Sequence, residues 1–397
     1  MPPLEVAFVV QRYGAEVTGG AEQHCRSIAR RLAEHYEITV LTTCALDHLT
    51  WENHFPPGTS SLEGVQVLRF AVKEGRAPDF GAFAGRVYSE THSRADELTW
   101  LEKQGPNCPG LLDHLRRRGP SYDAVIFYTY LYGPTALGLP LVADRAVLVP
   151  TAHDEPPIHL GIFRELFSQP RHLLFLTATE EKLVRRLFNN GHIPGTVVGT
   201  VLEGPAKQPD AKRFRERYEI DGEFILYMGR IEIWKGCPEL LEFFCRYKSA
   251  FPQGPSLVLL GRADMPLPER PDIRALGFVP EEDKWDALAA ASVLVAPSPY
   301  ESLCIALLEA WDRGVPVLAN GRCDVLADQC LAGNGGLFYT NYAEFEACLE
   351  LLLARPVLRE TLGRQGRRYV QANYGWESVV PKWKGVIESV SSKGPVW

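Results

Sequence analysis

The stretch SPYESLCIALLEAWDRGVPV, from Ser298 to Val317, holds the pattern on which the predicted fold depends. Its first residues are typical of a loop, and LCIALLEAW predicts an apolar helix. Ser302 is a suitable N-cap, so we expect the helix to begin directly after it. Gly314 and Pro316 predict the end of the helix before a new strand. A strand end, a loop, a helix and a second strand in this order are typical of parallel α/β units.

The same alternation of apolar strands and helices extends over the whole chain. The strands are runs of Val, Ile, Leu and Phe without alternation, which indicates a sheet covered on both faces. The first series comprises LEVAFVV (4–10), EITVLTT (37–43), AVIFYTY (124–130), AVLVPT (146–151), HLLFLTA (172–178) and TVVGTVL (196–202). The second series comprises FILYMG (224–229), SLVLLG (256–261), IRALGFV (273–279), SVLVAPS (292–298), VPVLAN (315–320) and GLFY (336–339).

A polar segment between the two series predicts the junction of two domains. Glycine, prolines and charges make 203–209 the best linker, and 397 residues are too many for one ordinary core. We expect an α/β protein with one Rossmann-like domain over 1–203, a second over 204–375, and a helix over 376–397 that packs back toward the first. Two such domains facing each other create a cleft, and their sheets bind ligands at the carboxyl ends of the strands.

Charge and composition restrict the classes of partner. A net charge of -7 argues against nucleic acid. Two basic runs, Arg116–Arg118 and Lys212–Arg217, are interpreted as solvated helix surface, with contact to anionic lipid as the alternative. The first residues lack a signal peptide pattern, no window has transmembrane length, and nine cysteines show no Cys-x-x-Cys pair. A cytoplasmic protein is expected, with contact at the inner face of the membrane left open.

Two cations follow the strand that ends at Gly229. The segment GRIEIWKG places Arg230 and Lys235 near one strand end, where glycine lets a ligand approach the backbone. Arginine and lysine at such a place suit a diphosphate. The alternative is a pair of surface cations neutralised by Glu232 or Glu239.

Two glutamates bracket the start of the helix in the opening stretch. The amides near Leu303, Cys304 and Ile305 are expected at the positive helix end, which favours anions and hydroxyl groups. Eight helical positions separate Glu301 from Glu309, a rise of about 12 Å. Both carboxylates can therefore look onto one cleft and accept from vicinal hydroxyls. The alternative is that Glu309 is only a polar position on an amphipathic helix, although a buried carboxylate without a partner is costly.

In this combination the second half resembles the retaining glycosyltransferases of family 4, which have the GT-B fold. The resemblance rests on motifs that match the family in order and spacing. They are Gly229-Arg230, Lys235-Gly236, Pro297-Ser298, Glu301, Glu309-Ala310 and Gly314-Val315-Pro316. It covers most of the second half and, more loosely, the first.

The resemblance implies a role for each motif residue. Arg230 and Lys235 would hold the diphosphate of a nucleotide-sugar donor, and Glu309 would bind the ribose. Glu301 would contact hydroxyls of the donor sugar, and the amides of 303–305 would reach sugar and phosphate.

Two further points concern the base and the sugar. The segment Gly277-Phe278-Val279 resembles the part that meets the base. The family often has Glu-Gly-Phe-Gly where this chain has Glu301-Ser302-Leu303-Cys304, so the sugar pocket is expected to differ in shape.

The first half offers a glycine pair and a histidine. VTGGAEQH places Gly19 and Gly20 before the first helix; it resembles the family's N-terminal glycine loop near the reacting centre, and a tight strand-to-helix turn is the alternative. VPTAHDEPP places His153 directly after a strand, beside acidic residues, although a lone histidine is usually structural. Members of the family often have a histidine there that contacts the donor sugar.

Two more segments indicate a role through their composition or pattern. The loop that holds Asp47, His48, Trp51, Asn53 and His54 mixes aromatic and polar groups, which suits a carbohydrate acceptor, although such residues have duller uses on a surface. Residues 177–180 resemble a capping box and are interpreted as structural.

The resemblance implies transfer of a sugar from a UDP-linked or GDP-linked donor to a hydroxyl of a glycan or lipid-linked acceptor, commonly in cell-surface polysaccharide assembly. No Asp-x-Asp motif is present, so we expect no divalent metal and no other cofactor. The alternatives are a nucleotide-sugar epimerase or hydrolase of the same fold, and an inactive sugar-nucleotide-binding protein.

Overall fold

The apolar runs of the first half form one eight-stranded sheet in the computed structural model, which describes residues 2–391. Its strands are Glu5–Val9 (β1), Glu37–Thr43 (β2), Gly58–Leu62 (β3), Val65–Phe70 (β4), Ala124–Tyr128 (β5), Ala146–Val149 (β6), His172–Phe175 (β7) and Gly195–Val197 (β8). The order is β3-β4-β2-β1-β5-β6-β7-β8, and every pair is parallel except the antiparallel β3–β4. β1 and β5 are fully buried apart from Glu5, as expected for a sheet covered on both faces.

Helices connect the strands of this sheet. They are Gly20–Leu32 (α1), Phe80–Ser89 (α2), Arg94–Gln104 (α3), Pro109–Arg118 (α4), Gly133–Ala136 (α5), Gly161–Leu166 (α6) and Ala178–Phe188 (α7). The strand predicted over 196–202 ends at Val197, because Gly199 has a positive φ of 70° that a strand does not adopt.

The second half forms a six-stranded sheet in which all neighbours are parallel. Its strands are Phe224–Met228 (β9), Ser256–Leu260 (β10), Ile273–Gly277 (β11), Val293–Ala296 (β12), Val317–Asn320 (β13) and Gly336–Tyr339 (β14). The order β11-β10-β9-β12-β13-β14 is that of a Rossmann sheet, with the switch point between β9 and β12.

Seven helices accompany the strands in the described part of this half. They are Ala211–Tyr218 (α8), Cys237–Ala250 (α9), Glu281–Ala290 (α10), Ile305–Asp312 (α11), Asp324–Gly333 (α12), Tyr342–Ala354 (α13) and Pro356–Asn373 (α14). The basic residues of α8 are largely neutralised by carboxylates of the helix α10. Arg213 pairs with Asp286 at 2.5 Å, and Arg217 pairs with Asp283 at 3.0 Å, both on α10. The alternative of a lipid-binding patch is therefore not supported at this helix.

The last described helix, Trp376–Val390 (α15), packs on the first sheet. Its Trp383 is fully buried and stacks on Tyr128 of β5 with ring centroids 6.5 Å apart. The same ring lies 6.3 Å from Phe8 and 6.1 Å from His24. The chain accordingly divides into two units. The first runs to Val201 and resumes at Trp376, and the second spans Leu202–Gly375. The end of the helix predicted over 376–397 lies outside the described residues from 392 onward.

The prediction of an α/β fold with two Rossmann-like domains is confirmed. That the domains face each other across a cleft stays a prediction. Between residues 2 and 391, none of the helices combines the length and the apolar character needed to cross a membrane. All nine cysteines belong to the described part, and each is a free thiol.

Candidate active site

Two loops meet at the switch point of the second sheet, and they contain half of the predicted site residues. One loop follows β9 and the other follows β12. Gly236 lies so close to the second loop that a Cβ there would stand 2.2 Å from the carbonyl oxygen of Pro297. Its φ of 73° also favours glycine. Gly229 likewise has a positive φ of 148°, so both glycines of the motif are required by the backbone.

Lys235 and Glu301 join these loops through an ion pair. The Lys235 ammonium donates to Glu301 Oε1 at 2.7 Å, and the two side chains are only 30% and 13% exposed. Burial alone would lower the pKa of Lys235, but the neighbouring carboxylate outweighs it and the pKa is raised. Lys235 is therefore a fixed positive charge beside the carboxylate of Glu301, which is 66 residues away in the sequence.

Arg230 lies in the first loop and pairs with Glu232 at 3.1 Å. This ion pair is one of the surface alternatives expected from the sequence, whereas Glu239 pairs with Arg322. The backbone carbonyl of Arg230 accepts from the Tyr227 hydroxyl at 2.6 Å, which fixes the loop directly after β9. Arg230 and Lys235 thus stand on one short segment of six residues, each with a carboxylate partner.

The helix α11 begins later than expected. Its N-cap is Cys304, so the prediction that Ser302 caps the helix is wrong. The Ser298 hydroxyl donates to the Tyr300 carbonyl at 2.9 Å and holds a turn that delays the helix. Glu301 consequently lies in the loop, and the rise of about 12 Å expected for a continuous helix between the glutamates does not apply.

Three predicted backbone contacts fall at this helix start. Leu303 is buried in the loop, Cys304 is the N-cap and Ile305 is the first helical residue. The N-terminus of α11 therefore lies beside the Lys235–Glu301 pair. Burial, with a smaller contribution from Glu301, raises the pKa of the Cys304 thiol, so a neutral thiol stands where the family often has glycine.

Glu309 lies on α11, and its carboxylate has a partner that sequence reasoning missed. The Lys284 ammonium, from α10, donates to Glu309 Oε1 at 2.7 Å. Both side chains are mostly shielded from water. The alternative of Glu309 as an ordinary polar helix position is not supported, because ordinary positions are exposed. Phe278, expected near the base, is 67% exposed just after β11.

In the first unit, the glycine pair lies next to a buried ion pair. Arg12 and Glu22 meet at 2.6 Å, with side chains only 7% exposed. A Cβ on Gly19 would stand 2.3 Å from Glu22 Oε2, so a larger residue there would displace this carboxylate from its position beside Arg12. Gly20 begins α1. Arg12 also donates to the carbonyl of Leu46 at 2.9 Å, which ties the glycine loop to the loop after β2.

His153 follows β6, where it meets a small polar cluster. Its Nδ1 lies 3.3 Å from Glu155 Oε1, and the same carboxylate oxygen accepts from the Tyr130 hydroxyl at 2.9 Å. Thr129 and Thr151, at the ends of β5 and β6, have positive φ of 63° and 51°. Strained backbone at the ends of two neighbouring strands is typical of functional sites.

Glu180 helps to hold the loop that contains His153. The segment 177–180 was expected to be a capping box, and Thr177 is indeed the N-cap of α7. The Glu180 carboxylate, however, accepts from the amides of Ala152 at 2.6 Å and Leu176 at 2.7 Å. Burial raises its pKa to about 8. The residue therefore fixes the backbone next to His153, a role that local spacing did not indicate.

The loop proposed to face an acceptor is mostly structural. Trp51 is buried and donates from its indole to the Gln104 carbonyl at 3.0 Å. Asn53 exchanges two hydrogen bonds with the backbone of Val72. Asp47 accepts from amides of its own loop. His48 is partly buried, whereas His54 is exposed and lies 3.7 Å from Glu16.

The predicted residues therefore fall into two groups. Gly229, Arg230, Lys235, Phe278, Glu301, Leu303, Cys304, Ile305 and Glu309 belong to the second unit, and Gly19, Gly20 and His153 belong to the first. Within the described residues, no cluster of three or more His, Cys, Asp or Glu is arranged to hold a metal ion.

The fold defines a class of protein when it is compared with solved structures. Sucrose-phosphate synthase from Thermosynechococcus elongatus has a TM-score of 0.71 to this chain at 16% identity, covering 98% of this chain and 99% of that one. Anabaena HepE in complex with UDP-glucose has a TM-score of 0.67 at 14% identity, with coverage of 98% and 99%. The fold is that of the GT-B glycosyltransferases.

The sequence comparisons identify the type of domain in the second unit. Residues 210–369 match the family model of glycosyl transferases group 1, so the unit carries a domain of this group. Over 95% of its length the chain is similar to the glycogen synthase of Mycobacterium tuberculosis, with 23% identity and 92% of that protein covered. Its homologues are therefore glycosyltransferases.

Proposed function

We propose that this protein is a retaining glycosyltransferase that moves a sugar from a nucleotide-diphosphate sugar to a hydroxyl of a glycan or lipid-linked acceptor. The observation that carries the proposal is the ion pair of Lys235 and Glu301, beside the N-terminus of α11 at the switch point of a Rossmann sheet. Such a point is where these sheets bind nucleotides. We place the reaction in cell-surface polysaccharide assembly, on the cytoplasmic side and, with a lipid-linked acceptor, at the membrane surface.

The proposed chemistry uses charges that the loops already hold. Arg230, Lys235 and the amides at the start of α11 bind the diphosphate and neutralise the charge that grows on it as it leaves. The bond between the anomeric carbon and the diphosphate breaks, and a bond to the acceptor oxygen forms on the same face. The acceptor proton passes to the departing phosphate oxygen. These cationic groups take the part that a divalent metal plays elsewhere.

The carboxylates then bind hydroxyl groups. When the diphosphate replaces Glu301 as the partner of Lys235, Glu301 becomes available to the hydroxyls of the donor sugar. Glu309 accepts from the ribose. We favour a UDP-linked donor over a GDP-linked one because HepE, which shares the fold, was solved with UDP-glucose. His153 is proposed to contact the donor sugar, with its ring held by Glu155.

Replacing Arg230 tests the proposal. At saturating donor, we expect Arg230→Ala to lower turnover by about 100-fold or more, as for removal of one electrostatic donor from a site. Arg270→Ala is the matched control, because Arg270 pairs with Asp272, also two residues on, and the two arginines are 36% and 35% exposed. The control is expected to keep wild-type turnover.

The assay first finds the donor by thermal stabilisation with a panel of UDP and GDP sugars, since a ligand that binds the folded state raises Tm. Release of nucleotide and formation of product are then followed with glycan and lipid-linked acceptors. Release of nucleotide and free sugar without an acceptor would indicate a hydrolase, and conversion of the donor into an isomeric nucleotide sugar would indicate an epimerase. Binding without turnover would indicate an inactive binding protein. Normal turnover of Arg230→Ala would contradict the proposed roles.

A further inference from the structure

Lys284 links two helices at the predicted ribose end of the site. Its ammonium lies 2.7 Å from Oε1 of Glu309 and 2.7 Å from Oε1 of Glu281. Glu281 is 71% exposed, whereas Glu309 is only 13% exposed and Lys284 24%. An exposed ion pair contributes little, so Glu309 is the partner that matters.

The surroundings of Glu309 explain why it needs this cation. The charged groups near it are Glu281 and Lys284 on α10 and Asp312 on α11, and Asp312 is itself paired with Arg313. Burial raises the pKa of Glu309, the two acidic neighbours raise it further, and Lys284 opposes them. Burial would lower the pKa of Lys284, but the two glutamates outweigh this and keep it charged.

We infer that Lys284 is a positioning residue of the nucleotide site, which keeps the Glu309 carboxylate ionised and oriented to accept from the two ribose hydroxyls. The inference rests on the proposed function. Lys284 donates to Oε1, so the second oxygen remains to accept from a hydroxyl. A protonated carboxyl would lose part of its accepting capacity, because one of its oxygens would carry a hydrogen.

A purely structural role for this ion pair predicts a different result. If Lys284 only joined α10 to α11, its loss would lower Tm without making nucleotide binding depend on pH. The pH dependence of binding therefore separates the two roles. With the lysine gone, the ionised form of Glu309 is lost as pH falls, and binding that needs it weakens by up to about tenfold per pH unit below the pKa of Glu309.

The experiment measures Kd for UDP-glucose by calorimetry from about pH 6 to about pH 8.5, a range in which neither its diphosphate linkage nor lysine titrates. Wild-type binding is expected to be nearly constant. Lys284→Met is expected to bind more weakly at low pH, to recover at high pH, and to release up to about one proton on binding. Lys284→Arg is expected to behave as wild type.

Two controls complete the design. Glu309→Gln is expected to bind weakly at every pH, and Lys212→Met removes a lysine that is 82% exposed on α8 and is expected to change nothing. Lys284→Met binding that is independent of pH, with or without a lower Tm, would overturn the inference while leaving the proposed function intact. If wild type bound none of the UDP and GDP sugars in the panel, the proposed function and the inference would fall together.

Discussion

At the scale of single residues, the glycine loop after β1 depends on the carboxylate of Glu22, which lies on α1 and not in the loop. Gly19 and Gly20 are recognisable in the sequence, but Arg12 and Glu22 are separated from each other by ten residues and meet only in the fold. The Gln11 side chain also donates to Glu22 at 3.0 Å. One oxygen of this carboxylate, Oε1, thereby accepts from both Gln11 and Arg12.

Removing one member of this ion pair should be costly. We expect Glu22→Gln to lower the free energy of unfolding by about 3 kcal/mol or more, because the Arg12 guanidinium would be left buried without its counter-charge. Urea unfolding, followed by circular dichroism, would measure the loss. Glu34→Gln is the matched control, since Glu34 pairs with Arg31 at the same 2.6 Å but both side chains are about half exposed. Its effect should stay below about 1 kcal/mol.

The double variant Arg12→Met with Glu22→Leu gives a further check. It should cost less than the sum of the two single changes, because neither charge is then left alone. Additive losses would show that the two side chains act independently, which would contradict the role of the pair.

Sequence reasoning proposed site residues whose motif is local and missed a contact that is defined by packing. Arg230, Lys235, Glu301 and Glu309 stand in short patterns with helix and strand signals on either side. Lys284, in contrast, is 25 residues from Glu309 and lies on a helix that carries no motif. Contacts of this kind depend on how helices pack, which no spacing rule contains.

At the scale of elements, the start of α11 was predicted wrongly. Ser302 satisfies the residue preference of an N-cap, but the turn held by Ser298 places the cap two residues later, at Cys304. The other end of α11 was predicted correctly: the helix ends at Asp312, before Gly314. Trp311 anchors this end by donating to the Gly335 carbonyl at 2.8 Å.

The attachment of α15 makes stability depend on pH. His24 lies among Tyr128 and Trp383, and burial lowers its pKa to about 4, although its contact with the Gly199 carbonyl opposes the shift. In the unfolded chain its pKa is about 6.5. Between these values the unfolded state binds more protons, so stability is complete above about pH 6.5 and is lost as pH falls toward 4.

Replacing this histidine should therefore reduce acid sensitivity. We expect His24→Phe to weaken the fall in Tm between about pH 6.5 and about pH 4.5, since the group that takes up a proton on unfolding is gone. Differential scanning calorimetry over this range would measure it. His35→Phe, on the exposed side of the same region, serves as the control. Identical slopes for wild type and His24→Phe would contradict the assignment.

At the scale of the whole molecule, strand patterns predicted two parallel sheets, because strands buried on both faces give long apolar runs. β3 and β4 were not among the predicted strands. β3 has the sequence GTSSL and is almost entirely exposed, so it lacks the run of apolar residues by which the other strands were predicted. It pairs antiparallel at the sheet edge, where a polar strand is tolerated. Composition also does not reveal that Trp51, in the loop considered for an acceptor, is buried.

The second unit should fold without the first. We expect a fragment of residues 202–375 to unfold cooperatively and to bind UDP-glucose, because it contains a complete sheet and the residues of the second unit that are proposed to bind the donor. Circular dichroism and calorimetry would test both properties. A fragment that is unfolded, or folded but unable to bind any sugar nucleotide that full-length protein binds, would contradict this expectation.

The return of the chain at Trp376 has a further consequence. The second unit is an insertion within the first, and its entry and exit lie side by side, since the Leu202 amide donates to the Tyr374 carbonyl at 3.2 Å. The insertion could therefore be excised and Val201 spliced to Trp376 through a short glycine-serine joint. If the second unit binds the donor as proposed, grafting the equivalent segment of a relative at the same two junctions should exchange donor specificity while leaving the host sheet and its closing helix unchanged.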